Sequence, residues 1–519
     1  MTMRILRFIY LFSFTIFLIG QSLQAQINMP SIFGDHMVLQ QKQDNPVWGW
    51  ANSGEKIAVS IDGQRHTTTA DAKGNWRVQL KPIVVGGPYK LHIEGENAQF
   101  YFEDVMVGEV WICSGQSNME WPIQRTNSAE LAMLTANHPN IRLISVPRVG
   151  TQEAQNDFEG EWTTASSESI KDFSAIGYFF GRRLSDALDV PIGLIDNAWG
   201  GSAAEAWVKR EVLEEDERFD EFMDSWTETE RTFDYEKELE KWKEKVAEWE
   251  SKPKAERSWR QPNRPRNILT GNNRPANIYN GVLHPTIGFG IKGVIWYQGE
   301  SNARRAYQYR DLFPLMIKHW REEWQQGDFP FYYVQLADVQ EESDEPGDSN
   351  WAELREAQTM TMDRLKNVGE AVIIDLGEGR DIHPRNKNTV ADRLARWALA
   401  KDYKKEIQYR GPTYQSMEVM GSKIIIKFNN TGQGLYSFDT QEPQGFTIAG
   451  TNQKFVNAQA KMVDENTMEV WSDDINAPAS VRYAWAQNPI CNMYSRDGLP
   501  MTPFRTDDWQ GITFGKNKR

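Results

Sequence analysis

The stretch Glu109-Val110-Trp111-Ile112-Cys113-Ser114-Gly115-Gln116-Ser117-Asn118-Met119 reads as a strand over 109–113 that runs into a glycine-containing loop. The same rhythm of strand, loop and helix continues downstream. The text predicts a helix over 173–188, a strand over 190–195, a strand over 291–297 and a helix from about 306 to 324. A strand over 331–336, a helix over 351–365, a strand over 371–375 and a helix over 389–400 follow. Alternating β and α at this spacing predicts an α/β domain, with a parallel sheet covered on both faces.

Outward from that region the text changes. Residues 26–103 are β-like: Val47-Trp48-Gly49-Trp50, Ile57-Ala58-Val59-Ser60-Ile61 and Trp76-Arg77-Val78-Gln79-Leu80 sit between turn signals such as Asp62-Gly63 and Lys73-Gly74-Asn75. That spacing suits a small β-sandwich. From about residue 407 β signals return, as in Lys423-Ile424-Ile425-Ile426-Lys427-Phe428 and Ser480-Val481-Arg482-Tyr483-Ala484-Trp485, and a second β domain, 407–519, closes the chain. The α/β domain is then 104–406, interrupted at about 211–267. There, residues 234–254 mix Glu and Lys with Trp242 and Trp249 at helical spacing, ahead of a Pro/Arg/Asn-rich loop over 261–274. This reads as a helical insertion.

The chain has 519 residues, 40% of them hydrophobic, with 58 Lys+Arg against 72 Asp+Glu and two cysteines. Such a composition excludes a disordered, collagen-like or disulfide-stapled chain. A net charge of −14 argues against a nucleic-acid partner or a polybasic membrane protein. Residues 1–25 read as an export signal: Arg4 and Arg7 precede the apolar run 8–20, and Leu23-Gln24-Ala25 is an imperfect small-residue cleavage site. The run is shorter than the roughly 20 apolar residues of a spanning helix, so no integral membrane segment is expected after signal removal and a periplasmic or secreted protein is. Cys113 and Cys491 lie in unrelated segments and are expected as two separate buried thiols.

In an open parallel sheet, ligands bind beyond the carboxyl ends of the strands. The loop after the first strand carries Ser114 and Ser117; a serine in such a turn can present its hydroxyl beside backbone N–H groups. Asn197-Ala198-Trp199-Gly200-Gly201-Ser202 follows the next strand, and its glycines permit close backbone approach to an oxyanion. Gln298-Gly299-Glu300-Ser301-Asn302 offers Gln298 or Asn302 as a neutral donor. Asp381-Ile382-His383-Pro384 offers an imidazole with a carboxylate two residues before it, the pairing a general base needs. Together the four loops favour acyl transfer. Most of the 20 tryptophans are expected in the core, with Trp199 and Trp296, beside these loops, as candidates for the cleft.

The segments Trp111-Ile112-Cys113-Ser114-Gly115-Gln116-Ser117-Asn118-Met119-Glu120, Trp296-Tyr297-Gln298-Gly299-Glu300-Ser301-Asn302 and Asp381-Ile382-His383-Pro384 resemble the sialate O-acetylesterases of the SGNH hydrolase superfamily. Tyr279-Asn280-Gly281, Gly498-Leu499-Pro500 and Pro503-Phe504-Arg505-Thr506-Asp507 extend the similarity over most of the chain after the signal. The resemblance implies a flavodoxin-like hydrolase domain with β accessory domains, acting without metal or cofactor on an O-acetylated sugar. It assigns Ser117 as nucleophile and His383 as base. Backbone N–H groups of Ser117 and Gly201 (Gly200 the alternative) and the amide of Gln298 (Asn302 the alternative) would form the oxyanion hole. The superfamily often has an acid three residues before the histidine, where Arg380 stands here, so Asp381 is the expected acid, with Glu378 and Glu300 behind it or a Ser–His dyad without one. Asn118, Trp199, Trp296, Glu300 and Arg380 are expected at the substrate. For a sialic acid carboxylate, Arg304, Arg305, Arg380 and Arg385 come into question. An acetylxylan-type esterase is the alternative within enzymes. A non-catalytic carbohydrate-binding protein is the alternative outside them, against which the presence of both Ser117 and His383 speaks.

Overall fold

The structure, a computed structural model, describes residues 27–96, 98–258, 260–343 and 345–518. The export signal expected over residues 1–25 lies outside them. Seven strands cross the central sheet in the order Val368–Ala371, Phe331–Val334, Gly293–Tyr297, Gln99–Gly115, Ile192–Asp196, Asn137–Ser145 and Thr163–Ser166. Every neighbouring pair is parallel except the last. The parallel α/β architecture read from the sequence is the one observed.

Side-chain alternation along the strands explains how both faces are covered. In Phe331–Val334, Tyr332 packs toward Trp111 and Trp397, while Phe331 and Tyr333 point the other way, onto Phe313. Trp397 lies on the helix Lys387–Lys401, which packs with the helix Ala175–Leu188; Phe313 lies on Ala306–Trp324, which packs with Asn350–Arg364. Each helix pair therefore closes one face. Strands so enclosed are buried throughout, as Gly293–Tyr297 is.

Gln99–Gly115 is 17 residues long, and the boundary expected at 103/104 falls inside it. Its first half pairs with Gly86–Glu94 and Val38–Gln40 in the N-terminal β region, and its second half is the centre of the α/β sheet. The strand expected over 371–375 is instead Val368–Ala371. Val372 and Ile374 are buried, but they leave the sheet to join the core of the C-terminal β region, beside Ile424, Ile426 and Phe428. Arg355 fastens the two parts: fully buried, it donates to the carbonyls of Ala486 (2.6 Å) and Gln487 (2.9 Å). Cys113 and Cys491 are both free thiols, the first buried and the second partly so.

The insertion is helical. Asp220–Thr232 is followed by Tyr235–Ser251, which Asp234 caps by accepting from the Lys237 N–H. Tyr235–Ser251 has no buried residue. The Trp242 indole donates to the Pro262 carbonyl (2.9 Å), and Arg210 and Arg274 share Glu230 (2.8 and 2.7 Å). These contacts hold the loop over 261–274 against the helices, and that loop forms one wall of the cleft described below.

Candidate active site

Parallel strands bring the ends at Gly115, Asp196, Tyr297 and Ala371 to one edge, and the loops that follow them meet there. Gly115 is required at its place: φ is +130°, and a Cβ would lie 2.2 Å from the Tyr297 carbonyl oxygen. This close crossing delivers the chain to the short helix Ser117–Glu120. Ser114 is buried, with no partner for its hydroxyl among the described residues. Ser117, partly exposed, lies with Oγ 2.9 Å from His383 Nε2, although 266 residues separate them.

His383 is set from two sides. Its Nδ1 is 3.1 Å from Asp381 Oδ1, and the same oxygen accepts the backbone N–H of His383 at 3.0 Å. Asp381 thus turns the loop and orients the ring. Burial acts to raise its pKa, but the hydrogen bonds and charge of His383 prevail and hold it below the ordinary value. The face of the imidazole stacks on Trp121, with ring centroids 4.9 Å apart at 16°. Glu378 is committed elsewhere, to the Arg385 guanidinium (3.0 Å) and N–H (2.8 Å). Because the Asp381 side chain is 45% exposed, its field at the ring is screened. Asp381→Asn is expected to lower kcat about 10- to 100-fold, well short of the roughly 10⁴-fold cost when the orienting acid is buried. Steady-state acetate release checks this.

Asn118 does not face the substrate as expected. It is 1% exposed, its amide nitrogen donates to Glu300 Oε1 (2.7 Å) and the Ile382 carbonyl (3.0 Å), and its oxygen accepts from Lys387 Nζ (2.5 Å). One side chain therefore ties together the loops of Ser117, Glu300 and His383. Glu300, expected at the substrate or as the acid, is taken up in this junction and does not reach His383. Burial raises its pKa and also pushes Lys387 down to about 7, against the pull of Glu300, Glu378 and Asp381.

A lysine that deprotonates near 7 when folded, against its ordinary 10.5, places a cost on folding. That cost is full below about pH 7 and is relieved as pH rises toward the unfolded value. The unfolding free energy of the wild type relative to Lys387→Met is therefore expected to be flat below pH 7. Above it, the difference should rise by up to about 1.4 kcal/mol per pH unit, read by urea unfolding at stepped pH.

The loop after Asp196 closes over Ser117. A Cβ on Gly200 would lie 3.3 Å from the Ser117 Cβ, and the Gly200 N–H is already given to Glu120 Oε2. Gly201, at φ +73°, has an N–H with no partner among the described residues. The Ser117 N–H is likewise unpaired among them. The Asn272 amide donates to the Gly200 carbonyl and lies beside Gly201.

Gln298 is not an oxyanion donor, contrary to expectation. It is fully buried, and its amide nitrogen has both hydrogens engaged, by the Ser202 carbonyl (3.1 Å) and Asn302 Oδ1 (2.7 Å). Asn302 is occupied too, donating to Glu205 Oε2 (3.0 Å) and accepting from the Ala204 N–H (3.0 Å). Both amides brace the Ser202–Ala204 backbone from beneath. Trp296 is also displaced from the cleft: fully buried, it packs edge-on to Trp207 and Trp320. Arg380 and Arg304 are exposed; Arg305 pairs with buried Glu205 (2.5 Å) and Arg385 with Glu378.

Trp199 does line a cleft of about 700 Å³, with Glu120, Arg148, Gly200 and Asn272, and Ser117 adjoins that cleft at Gly200. Of the residues the sequence reading missed, Glu120 and Trp121 directly follow the quoted serine loop, whereas Asn272 comes from the end of the insertion with no local signal. Among the described residues no three His, Cys, Asp or Glu side chains converge as a metal ion would need. A hydroxyl, an imidazole and a carboxylate thus stand in one hydrogen-bonded series, near two backbone N–H groups without partners among the described residues, an arrangement that acyl transfer could use.

Comparison with known proteins agrees with that chemistry. The family model described as "Carbohydrate esterase, sialic acid-specific acetylesterase" matches residues 107–245 and 276–399. Sialate O-acetylesterase of Mus musculus is 29% identical over 540 residues, covering 94% of this chain and 95% of that one; the Homo sapiens protein of the same name is 28% identical over 520 residues, 91% of each. The crystal structure of a carbohydrate acetylesterase from Xanthomonas citri superposes with a TM-score of 0.78 at 36% identity, over 93% of this chain and 100% of that one.

Proposed function

Since this chain belongs to the sialic acid-specific acetylesterase family of carbohydrate esterases, we propose that it removes acetyl groups from sialic acid hydroxyls through an acetyl-Ser117 intermediate. It is a carbohydrate O-acetylesterase; the sialic acid preference rests on relatives that match 91–94% of the chain. The observation that carries the serine mechanism is the continuous relay from Ser117 Oγ to His383 Nε2 (2.9 Å) and from Nδ1 to Asp381 (3.1 Å).

His383 takes the Ser117 proton as Oγ attacks the acetyl carbonyl carbon. The carbonyl π electrons move to oxygen, and the N–H groups of Ser117 and Gly201 hold the resulting oxyanion, with the Asn272 amide beside them. Each such donor contributes roughly 3 kcal/mol where it is removed by mutation. Collapse of the intermediate expels the sugar oxygen, which takes the proton from His383. Water, deprotonated by the same imidazole, then attacks the acetyl-serine, releases acetate and returns the proton to Ser117. The Trp121 face and the Asn118 junction keep the ring and the serine in register, the positioning on which the rate depends.

Acetate release from O-acetylated sialic acid is expected to exceed that from acetylated xylan in kcat/KM by at least about tenfold, a discrimination that one charged contact can supply. An enzyme that prefers xylan would overturn the sialic acid reading and leave the esterase chemistry in place.

A further inference from the structure

The cleft beside Ser117 has a charge opposite to that of the protein. The chain carries −14 overall, yet Arg148, Arg264 and Arg266 line this cleft and Glu120 is the one carboxylate among the described residues that do so. Glu120 is already neutralised: one oxygen pairs with Arg148 (2.6 Å) and the other accepts the Gly200 N–H. Arg264 and Arg266 are exposed, and neither has an ion pair among the described residues. Two guanidinium groups without an ion pair among the described residues, lining the same cleft as Trp199, give that cleft a positive potential.

Both arginines stand in the loop over 261–274, inside the gap between the two segments that the family model matches. The serine, histidine and acid lie within the matched segments, so the chemistry and this charged wall come from separate parts of the chain. A guanidinium binds a carboxylate through two parallel N–H bonds. Neutral acetylated sugars have no group that this wall would favour.

We propose that Arg264 and Arg266 form the subsite that binds the carboxylate of an acidic acetylated sugar while its acetyl group reaches Ser117. The subsite deepens the sialic acid reading above and rests on it. The carboxylate is held on the insertion wall, the sugar ring lies against Trp199, and discrimination between acidic and neutral substrates is set by a loop outside the catalytic framework.

The test compares acetate release from O-acetylated sialic acid with release from its carboxyl methyl ester, which keeps the shape and removes the charge. Wild-type enzyme is expected to favour the acid by about tenfold or more in kcat/KM, most of it in KM. In the double variant Arg264→Ala, Arg266→Ala that ratio should fall toward one, and the Arg264→Lys, Arg266→Lys pair should restore part of it. A wild-type ratio near one, or a ratio unchanged in the alanine pair, overturns the subsite while the sialic acid reading stands. Wild-type enzyme that cleaves acetylated xylan but neither form of the sialic acid overturns the reading itself.

Discussion

Ser117→Ala is expected to reduce kcat for acetate release by about 10⁵-fold, with KM little changed. The alanine leaves no oxygen to form the acetyl intermediate, while the N–H groups of residue 117 and Gly201 stay in place, so a residual rate above water should persist. The fold should be indifferent. Among the described residues the hydroxyl has one partner, His383, in a partly exposed site, and losing such a bond costs about 1 kcal/mol. Thermal unfolding close to wild type, together with the lost turnover, separates a missing nucleophile from a damaged structure. A variant that retains most of its activity would show that another group attacks the ester.

His383→Ala is expected to cost about as much, again near 10⁵-fold, because Ser117 without a base is a weak nucleophile at neutral pH. The informative result is the double variant. Two residues acting as one unit are non-additive, so Ser117→Ala with His383→Ala should be no slower than the worse single variant by more than a few-fold. The ring also rests on Trp121, so its removal opens a space there. A small loss of stability is expected alongside the kinetic one, and it should vanish in His383→Gln while the rate stays low. Losses that multiply in the double variant would mean that the two residues act in separate steps.

What the sequence made legible follows from what local text encodes. Runs such as Val294-Ile295-Trp296-Tyr297 announce a covered parallel strand, and the loops after such strands must gather at one edge, so Ser117 and His383 could be brought together without coordinates. The strand Asn137–Ser145 carries no clear strand signal in the sequence, because it opens with polar residues and Pro139 and has Arg142 in its middle. That arginine is 3% exposed, and its burial is made possible by Asp104, at 2.6 Å. Such a pairing between distant residues leaves no trace in a local window. Trp296 lies away from its expected place for a related reason. Adjacency to a site loop does not fix a side chain's direction, and the strand's alternation turns it onto Trp207 and Trp320.

Gln298 shows the limit most plainly. Its residue type and its place after a strand suit an oxyanion donor, and only the positions of Ser202 and Asn302 reveal that both of its amide hydrogens are already used. Asn272 presents the opposite case. Nothing near it in the sequence marks it, and it reaches Gly200 because Arg274 and Glu230 anchor the end of the insertion.

Acid quenching during turnover with excess acetyl ester, followed by peptide mapping, tests the reaction path most directly. One acetyl group is expected on the peptide containing Ser117, reduced to background in Ser117→Ala and enriched in a variant whose deacylation is slowed. Undiminished turnover with Ser117 unmodified throughout, or acetyl carried on a different side chain, would contradict a covalent path through this serine.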